Sequence, residues 1–321
     1  MRPVRLAFLA LVAALFAVPA RAADELRLAL QATGTTVWEM AVVSAYGLDK
    51  EARLDLKATE LASTEAGRIA LVGGSADIIV SDWLWVARER AGGHGLVFYP
   101  ASTGIGALMT KDPATKSVKD LVGKKLGVAG GPLDKSWLLL KAYALRQGVD
   151  LEKVVTIVYG APPLLAEKAA QGELDAALVF WNFALDLEAR GFRRAIEMRD
   201  VEKALGATGD PVVTGYVFDE KFAAQHGAAL ARFFAMMKEA KTLIATNDEA
   251  WAKAAARVPA KDKATLDLYR KRYVESLPKG AVAQEEADAE KLLTVLAATG
   301  GEALVGRAKT LPPGTFYKAA P

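Results

Sequence analysis

The sequence predicts an α/β protein with two Rossmann-like lobes, joined by two hinge strands, and a helical C-terminal segment packed on lobe one. Apolar strand-like runs alternate with helix-periodic segments from Leu26 to Tyr99 and again from Lys124 to Met198. Such alternation is typical of right-handed crossovers and a mainly parallel sheet. The two sets also match locally at a constant shift of 98 residues, as from Gly74 to Gly172. A chain of 321 residues is long enough for two domains.

The composition is that of a folded globular protein and excludes several kinds of site. The chain is 52% hydrophobic and 25% charged, with no Cys and two His. Without Cys there is no disulfide, no thiolate metal ligand and no lipid attachment of the bacterial type. Two histidines, His94 and His226, exclude a multi-histidine metal site. We therefore expect no metal and no cofactor.

Residues 1–22 have the pattern of an export signal. Arg2 and Arg5 precede the apolar run Leu6–Val18, and Ala20-Arg21-Ala22 supplies a small-x-small cleavage site. The run is too short to span a bilayer of about 30 Å as a helix. We expect cleavage after Ala22 and a periplasmic product with no lipid anchor.

Removal of this segment changes the charge balance of the chain. Its three Arg account for the whole excess of 41 Lys+Arg over 38 Asp+Glu. A nucleic-acid-binding protein would normally keep a basic excess. We therefore expect no nucleic-acid partner, and the balanced charge favours a monomer.

The predicted organisation has four parts. The signal peptide is 1–22, the first part of lobe one is 23–110, lobe two is 111–211, and the return strand with the C-terminal helices is 212–321. Lobe one has predicted strands at Leu26–Gln31, Arg53–Ala58, Ala76–Ser81 and Gly95–Tyr99, with helices at Thr36–Tyr46, Thr64–Val72 and Asp82–Ala91. Lobe two has predicted strands at Lys125–Ala129, Val154–Val158, Asp175–Val179 and Arg194–Met198, with helices at Lys135–Arg146, Leu164–Gln171 and Trp181–Ala189.

Two strands are predicted to connect the lobes. Gly104–Thr110 is predicted to be a strand that leaves lobe one, and Val212–Phe218 a strand that returns to it. Two crossings form a hinge that allows domain closure about a ligand. The chain beyond Asp219 is predicted to be almost entirely helical and to end in a loose segment at Pro312-Pro313.

The candidate ligand-binding residues follow the predicted strands, because ligands of parallel α/β sheets bind at strand carboxyl ends, where helix N-termini also point. They are Thr35, Trp38, Glu60, Asp82, Trp83, Ser102, Ser136, Trp137, Trp181 and Asn182. Hydroxyls and backbone N–H groups at helix starts bind carboxylate, sulfonate or phosphate oxygens without a basic side chain. No Arg lies at these turns, so we expect no bidentate guanidinium clamp.

Four of the six tryptophans lie at these helix starts, and we expect at least two of them to contact the ligand. The alternative is that they pack helices onto the sheets, as we expect for Trp85 and Trp251. Glu60 and Asp82 are placed to meet a ligand amine. The alternatives are helix capping by Asp82 and a solvated turn at Glu60.

Together these features resemble the periplasmic solute-binding proteins of ABC importers, in the branch that serves nitrate, taurine, alkanesulfonates and thiamine-precursor pyrimidines. The most specific stretch is Ser117–Gly127 followed by Gly130-Gly131, and Gly172–Trp181 also matches. The resemblance implies the type II fold of periplasmic binding proteins, reversible capture of a small molecule and delivery to an inner-membrane permease. It assigns ligand contacts to the turn at Thr35–Trp38, to Asp82-Trp83, Ser102 and Ser136-Trp137, and to Trp181-Asn182.

The chain departs from this family by lacking a basic residue directly at those turns and by its many tryptophans. Both departures favour a small organic ligand over nitrate. The expected function is therefore non-enzymatic capture of a sulfonate, carboxylate, amine or pyrimidine-like molecule.

Two other functions remain open on the sequence alone. An enzyme on the same fold would need a positioned acid–base pair, and both His94 and His226 read better as surface residues. A periplasmic accessory protein, which would keep the fold without transport, leaves no short motif by which to recognise it.

Overall fold

The structure, a computed structural model, describes residues 23–260 and 262–318, so the predicted signal peptide lies outside the described residues. It contains two five-stranded sheets with helices packed around them. The strands are β1 Asp24–Gln31, β2 Leu54–Leu61, β3 Ile78–Ser81, β4 Leu96–Ser102, β5 Ala107–Thr110, β6 Lys125–Ala129, β7 Thr156–Gly160, β8 Ala176–Val179, β9 Arg193–Glu197 and β10 Thr214–Asp219. The predicted α/β class with two lobes is confirmed.

The helices predicted in the two lobes are present close to their predicted positions, and the structure adds short helices that were not predicted. Those before the return strand are α1 Thr36–Tyr46, α2 Leu48–Glu51, α3 Thr64–Val72, α4 Trp83–Ala91, α5 Lys135–Arg146, α6 Leu151–Val154, α7 Pro162–Ala170, α8 Trp181–Ala189 and α9 Met198–Ala204. Those after it are α10 Glu220–Thr246, α11 Asp248–Ala255, α12 Lys263–Glu275 and α13 Val282–Val305. Residue 261, shortly before α12, lies outside the described residues.

The sheet of lobe one has the strand order β2-β1-β3-β10-β4. β1 pairs in parallel with β2 from Asp24↔Leu54 onward and with β3 on its other side. The return strand β10 is antiparallel to both β3 and β4. The sheet is therefore mainly parallel, as predicted, with one reversed strand inside it.

The sheet of lobe two repeats this arrangement in the order β7-β6-β8-β5-β9. β3 and β8, related by the shift of 98 residues, hold the same third position in their sheets. The reversed strand here is β5, which is antiparallel to β8 and β9. The internal match in the sequence thus corresponds to two sheets of like topology.

The pairing of β5 moves the expected boundary between the lobes. The sequence predicts that residues up to 110 belong to lobe one, but Ala107–Thr110 pairs within the second sheet. The first crossing therefore lies between Ser102 and Ala107. It runs beside the return crossing, because the Val213 N–H donates to the Ser102 carbonyl oxygen at 2.8 Å.

The C-terminal helices pack on lobe one, and the last of them also contacts lobe two. α10 and α11 lie against α1, whereas α13 contacts α4 and β4 of lobe one and α5 of lobe two. The segment that follows Pro312-Pro313 packs on lobe one and is not loose, contrary to the prediction. The Phe98 N–H donates to the Thr315 carbonyl at 2.8 Å, and the Phe316 ring packs against the Phe98 ring in the core.

Among the residues that the structure describes, no helix is both long enough and apolar enough to cross a membrane.

Candidate functional site

The carboxyl edges of the two sheets face each other, and side chains meet between them. Asp82 follows β3 of lobe one, and Lys135 begins α5 of lobe two; its Nζ lies 3.0 Å from Asp82 Oδ1. Trp38 of α1 and Trp181 of α8 have ring centroids 6.3 Å apart. The two groups of predicted ligand-binding residues therefore adjoin across the gap between the lobes.

Asp82 is the most highly connected group in this gap. It is the N-cap of α4, where its Oδ1 accepts from the Trp85 N–H at 3.0 Å, and its Oδ2 accepts from Arg68 Nη2 at 2.7 Å. Burial alone would raise the pKa of Asp82, but the positive charges of Lys135 and Arg68 hold it below its ordinary value. Asp82 is therefore ionised at neutral pH.

Basic groups reach the gap, although the sequence predicts no basic residue directly at the strand-end turns. Arg68 lies mid-helix in α3, and its guanidinium also contacts the Ser81 hydroxyl at 3.1 Å. Lys135 is the first residue of α5, next to Ser136. The absence of a basic residue at these turns was therefore a wrong inference. Lys135 was visible in the sequence, whereas Arg68 arrives from a neighbouring helix, which strand-end spacing does not show.

Three of the four tryptophans assigned to the gap are buried. Trp38 is 3% exposed, Trp83 5% and Trp137 0%. Trp38 packs against Trp251, Tyr269 and Tyr273, and Trp83 Nε1 donates to the Val212 carbonyl of the return crossing at 3.1 Å. In this conformation these indoles pack the lobes and the hinge. Trp85 and Trp251 are buried as well, which confirms their assignment to packing.

Trp181 is half-buried at the first crossing. A Cβ added at Gly104 would lie 3.2 Å from Trp181 Cδ1, so the ring lies directly over this glycine. Ser102 organises the same segment, because its Oγ accepts from the Gly104 N–H at 3.0 Å. Trp181 and Ser102 thus lie together where the chain passes between the lobes.

The turn after β6 is built on two glycines and an acid. Gly130 and Gly131 have φ values of 84° and 93°, a region that favours glycine. The N-cap of α5 is Asp134, whose Oδ1 accepts from the Trp137 N–H at 3.0 Å. Burial raises the pKa of Asp134 to about 6. Ser136 is half-buried in the first turn of this helix.

The other candidates are more peripheral. Glu60 lies on the edge strand β2, where both of its carboxylate oxygens accept from Arg257 Nη2 at 2.6 Å. It is exposed and paired, consistent with the solvated alternative. Thr35 precedes α1 and Asn182 is in the first turn of α8; both are half-buried.

A buried polar network that the sequence does not predict lies beside Trp38. Glu39 is 1% exposed and accepts hydrogen bonds from Lys241 Nζ at 2.5 Å and from the Tyr273 hydroxyl at 2.9 Å. The Tyr216 hydroxyl donates to its other oxygen at 3.3 Å. The network ties α1 to β10, α10 and α12. A Glu one residue after a helix-start Trp carries no sequence signal for such a role.

The histidines lie away from the gap. His94 follows α4 on the side opposite Asp82 and pairs with Glu89 at 2.8 Å, and the His226 ring stacks on Phe222 with centroids 4.4 Å apart. Within 23–260 and 262–318, no group of three or more His, Asp or Glu side chains is placed to hold a metal ion.

Two cavities are present outside the gap. One, of about 570 Å³, lies between α5, α6 and α13 and is lined by Lys141, Leu145 and Val295 among others. The second, of about 300 Å³, lies beside Glu285 and Asp288. Neither is lined by any of the ten predicted site residues.

A match to a family model shows which protein family the chain belongs to. A model of the NMT1/THI5-like family matches residues 45–250, which is more than half of the chain. The chain belongs to the NMT1/THI5-like family. This confirms the resemblance inferred from the motifs around Ser117–Gly131 and Gly172–Trp181.

Solved structures share the fold of this NMT1/THI5-like protein. The periplasmic aliphatic sulphonate-binding protein SsuA from Escherichia coli is 19% identical, with a TM-score of 0.74 over 92% of this chain and 93% of that chain. The alkanesulfonate-binding protein SsuA from Xanthomonas axonopodis pv. citri, bound to MOPS, is 18% identical, with a TM-score of 0.69 over 92% and 98% of the two chains. No curated protein sequence matches the chain.

Proposed function

We propose that this protein is an exported solute-binding protein that captures a small organic molecule between its lobes and delivers it to the permease of an ABC importer. The proposal includes cleavage after Ala22, a periplasmic location without a lipid anchor, and a monomer. The observation that carries it is the meeting of the two sheet edges across a double crossing, shown by the Asp82–Lys135 and Trp38–Trp181 contacts. Family membership supports the same role.

The proposed mechanism is closure about the ligand. A ligand that contacts both lobes stabilises the closed form, whereas one that contacts a single lobe shifts nothing. Ser136 and Asn182 of lobe two and Thr35 of lobe one are half-buried groups at the facing edges. Their hydroxyl and amide groups suit a small polar organic ligand. Two solved relatives are named for alkanesulfonates, so organic sulfonates are the first compounds to test.

The decisive experiment is a thermal-shift screen against organic sulfonates, carboxylates, amines and pyrimidines, followed by tryptophan fluorescence titration. A compound that raises Tm and changes fluorescence at one equivalent, without being consumed, supports the proposal. Ser136→Ala and Asn182→Ala should each weaken its binding by about 0.5–1.5 kcal/mol. Thr294→Ala, an exposed hydroxyl on α13, is the matched control and should leave binding unchanged.

The accessory function is the second candidate, because side chains from both lobes already meet in the gap. The Asp82–Lys135 ion pair and the Trp38–Trp181 contact join the lobes directly. No response across the whole panel, together with co-purification of a periplasmic enzyme, would favour this role. Conversion of a panel compound into a product would instead show that the protein is an enzyme.

A further inference from the structure

One face of α8, a helix of lobe two, is covered by helices attached to lobe one. Trp181, Leu185 and Glu188 are spaced by four and three residues and so share this face. Trp181 lies against Trp38, and Leu185 is fully buried in a cluster made mainly of lobe-one and C-terminal residues. Glu188 is the last of these three residues along α8, and it contacts Arg272 of α12, a helix attached to lobe one.

Glu188 and Arg272 form a two-point ion pair. Arg272 Nη2 donates to Glu188 Oε1 at 2.5 Å and its Nε to Oε2 at 3.1 Å. The two side chains are only 19% and 18% exposed. Burial alone would raise the pKa of Glu188, but hydrogen bonds from Arg272 and Arg194 lower it, so the carboxylate stays ionised. Bidentate pairs of this kind are directional and stronger than single contacts.

The pair joins two bodies that would move apart on opening. Glu188 belongs to α8 of lobe two, whereas α12 is fixed to lobe one through the Tyr273 hydroxyl, which donates to the buried Glu39 carboxylate of α1 at 2.9 Å. Hydrogen bonds within a lobe persist when lobes rotate, whereas those between lobes break. The Glu188–Arg272 pair would therefore break if the lobes rotated apart.

Each half of the pair also has a partner on its own side. Glu188 accepts from Arg194 Nε of β9 at 2.8 Å, and Arg272 Nη1 donates to Glu275 Oε2 of the same helix at 2.8 Å. Separation of the lobes therefore leaves neither charge alone, which avoids the large penalty of an unpaired buried ion. An ion pair compensated in this way can form and break reversibly.

We infer that Glu188 and Arg272 form a clasp that holds the lobes closed in the absence of ligand and so sets the affinity of the gap between them. The clasp itself needs no ligand. Only its effect on the affinity for a ligand rests on the proposed function. Trp181 and Leu185 hold α8 against lobe one. Glu188 and Arg272 act by joining the lobes and do not contact the ligand.

The test measures lobe separation in the ligand-free protein. The chain has no Cys, so two introduced cysteines take spin labels without competition. Val72→Cys on α3 of lobe one and Leu164→Cys on α7 of lobe two are suitable, being 73% and 53% exposed. Pulsed electron–electron double resonance on this labelled parent should show one dominant distance. Glu188→Gln should add a longer distance and raise the open-to-closed ratio about tenfold.

A matched variant separates the clasp from general charge effects. Glu152→Gln removes an ion pair with Lys141, 2.8 Å long, that lies wholly within lobe two, and should leave the distances unchanged. Arg272→Met is a second clasp variant, and circular dichroism melts confirm that each variant is folded.

Unchanged distances in folded Glu188→Gln and Arg272→Met would overturn the inference, as would an equal response of Glu152→Gln. Because this experiment contains no ligand, its failure is distinct from that of the proposed function, which fails if the compound panel gives no binding.

Discussion

At the scale of single residues, sequence position located the gap better than it identified side chains that face it. Trp38, Trp83 and Trp137 all begin helices at strand ends, as predicted, yet each ring turns into the core. The direction of a side chain depends on which helices pack over it, and a local pattern carries no such information. Arg68 was missed for the same reason, since it reaches Asp82 from the middle of another helix.

Two indole truncations separate packing from ligand contact. Trp137→Ala should destabilise folding by about 3–5 kcal/mol, because the ring is fully buried. Trp181→Ala should destabilise it less, because Trp181 is half-buried at the crossing. Urea unfolding measures both changes. Equal losses of stability in the two variants would contradict this ranking.

The Asp134 carboxyl should make stability fall as pH rises. Burial raises its pKa from 3.8 to about 6, so between these values the native state binds more protons than the unfolded state. The loss develops from about pH 4 to pH 6 and then persists. Asp134→Asn keeps an oxygen for the Trp137 N–H and removes the charge. It should be about 1–3 kcal/mol more stable than the parent at pH 8 and no more stable at pH 4.

Urea unfolding at pH 4, 6 and 8 provides the measurement for Asp134→Asn. A stability difference that stays constant across this range would show that Asp134 titrates normally in the folded protein.

At the scale of elements, strand positions followed from the sequence but sheet membership did not. The strand predicted at Gly104–Thr110 exists as Ala107–Thr110, yet it pairs in lobe two rather than lobe one. An apolar run shows that a segment is buried, whereas its partner is chosen by contacts far away in sequence. The shift of 98 residues did carry non-local information, and it correctly related β3 to β8.

The entry to β5 leaves no room for a side chain. A Cβ at Gly106 would lie 1.8 Å from the Val179 carbonyl oxygen, so Gly106→Ala must displace β5 from β8 and should lower Tm strongly. Gly67→Ala in α3 is the control, because its nearest neighbour would be 3.9 Å away. Alanine there should be neutral or stabilising by about 0.5–1 kcal/mol. Thermal unfolding of both variants checks the contrast, which a stable Gly106→Ala protein would refute.

At the scale of the whole molecule, one of the hydrophobic core clusters is shared by the two lobes. A single buried cluster includes Ile79 and Phe98 of lobe one, Leu126 and Leu178 of lobe two, and Leu293 of α13. The sequence predicted two lobes, but not that α13 would pack against both. The periodicity of α13 predicts its apolar face. It does not predict which parts of the two lobes pack against that face.

The shared core should make unfolding a single cooperative event. Scanning calorimetry of the full chain is expected to show one transition, with equal calorimetric and van't Hoff enthalpies. Two resolved transitions would mean that the lobes unfold independently and that the contacts of α13 with α5 contribute little.

The placement of β10 also orders the assembly of the chain. All five strands of the second sheet lie between Ala107 and Glu197, so this sheet can form before the C-terminal part of the chain has been synthesised. The first sheet must wait, because its inner position between β3 and β4 is filled by Thr214–Asp219. The N-terminal half is thus synthesised first and finished last, and until then β3 and β4 present unpaired edges to any chaperone that holds the nascent polypeptide.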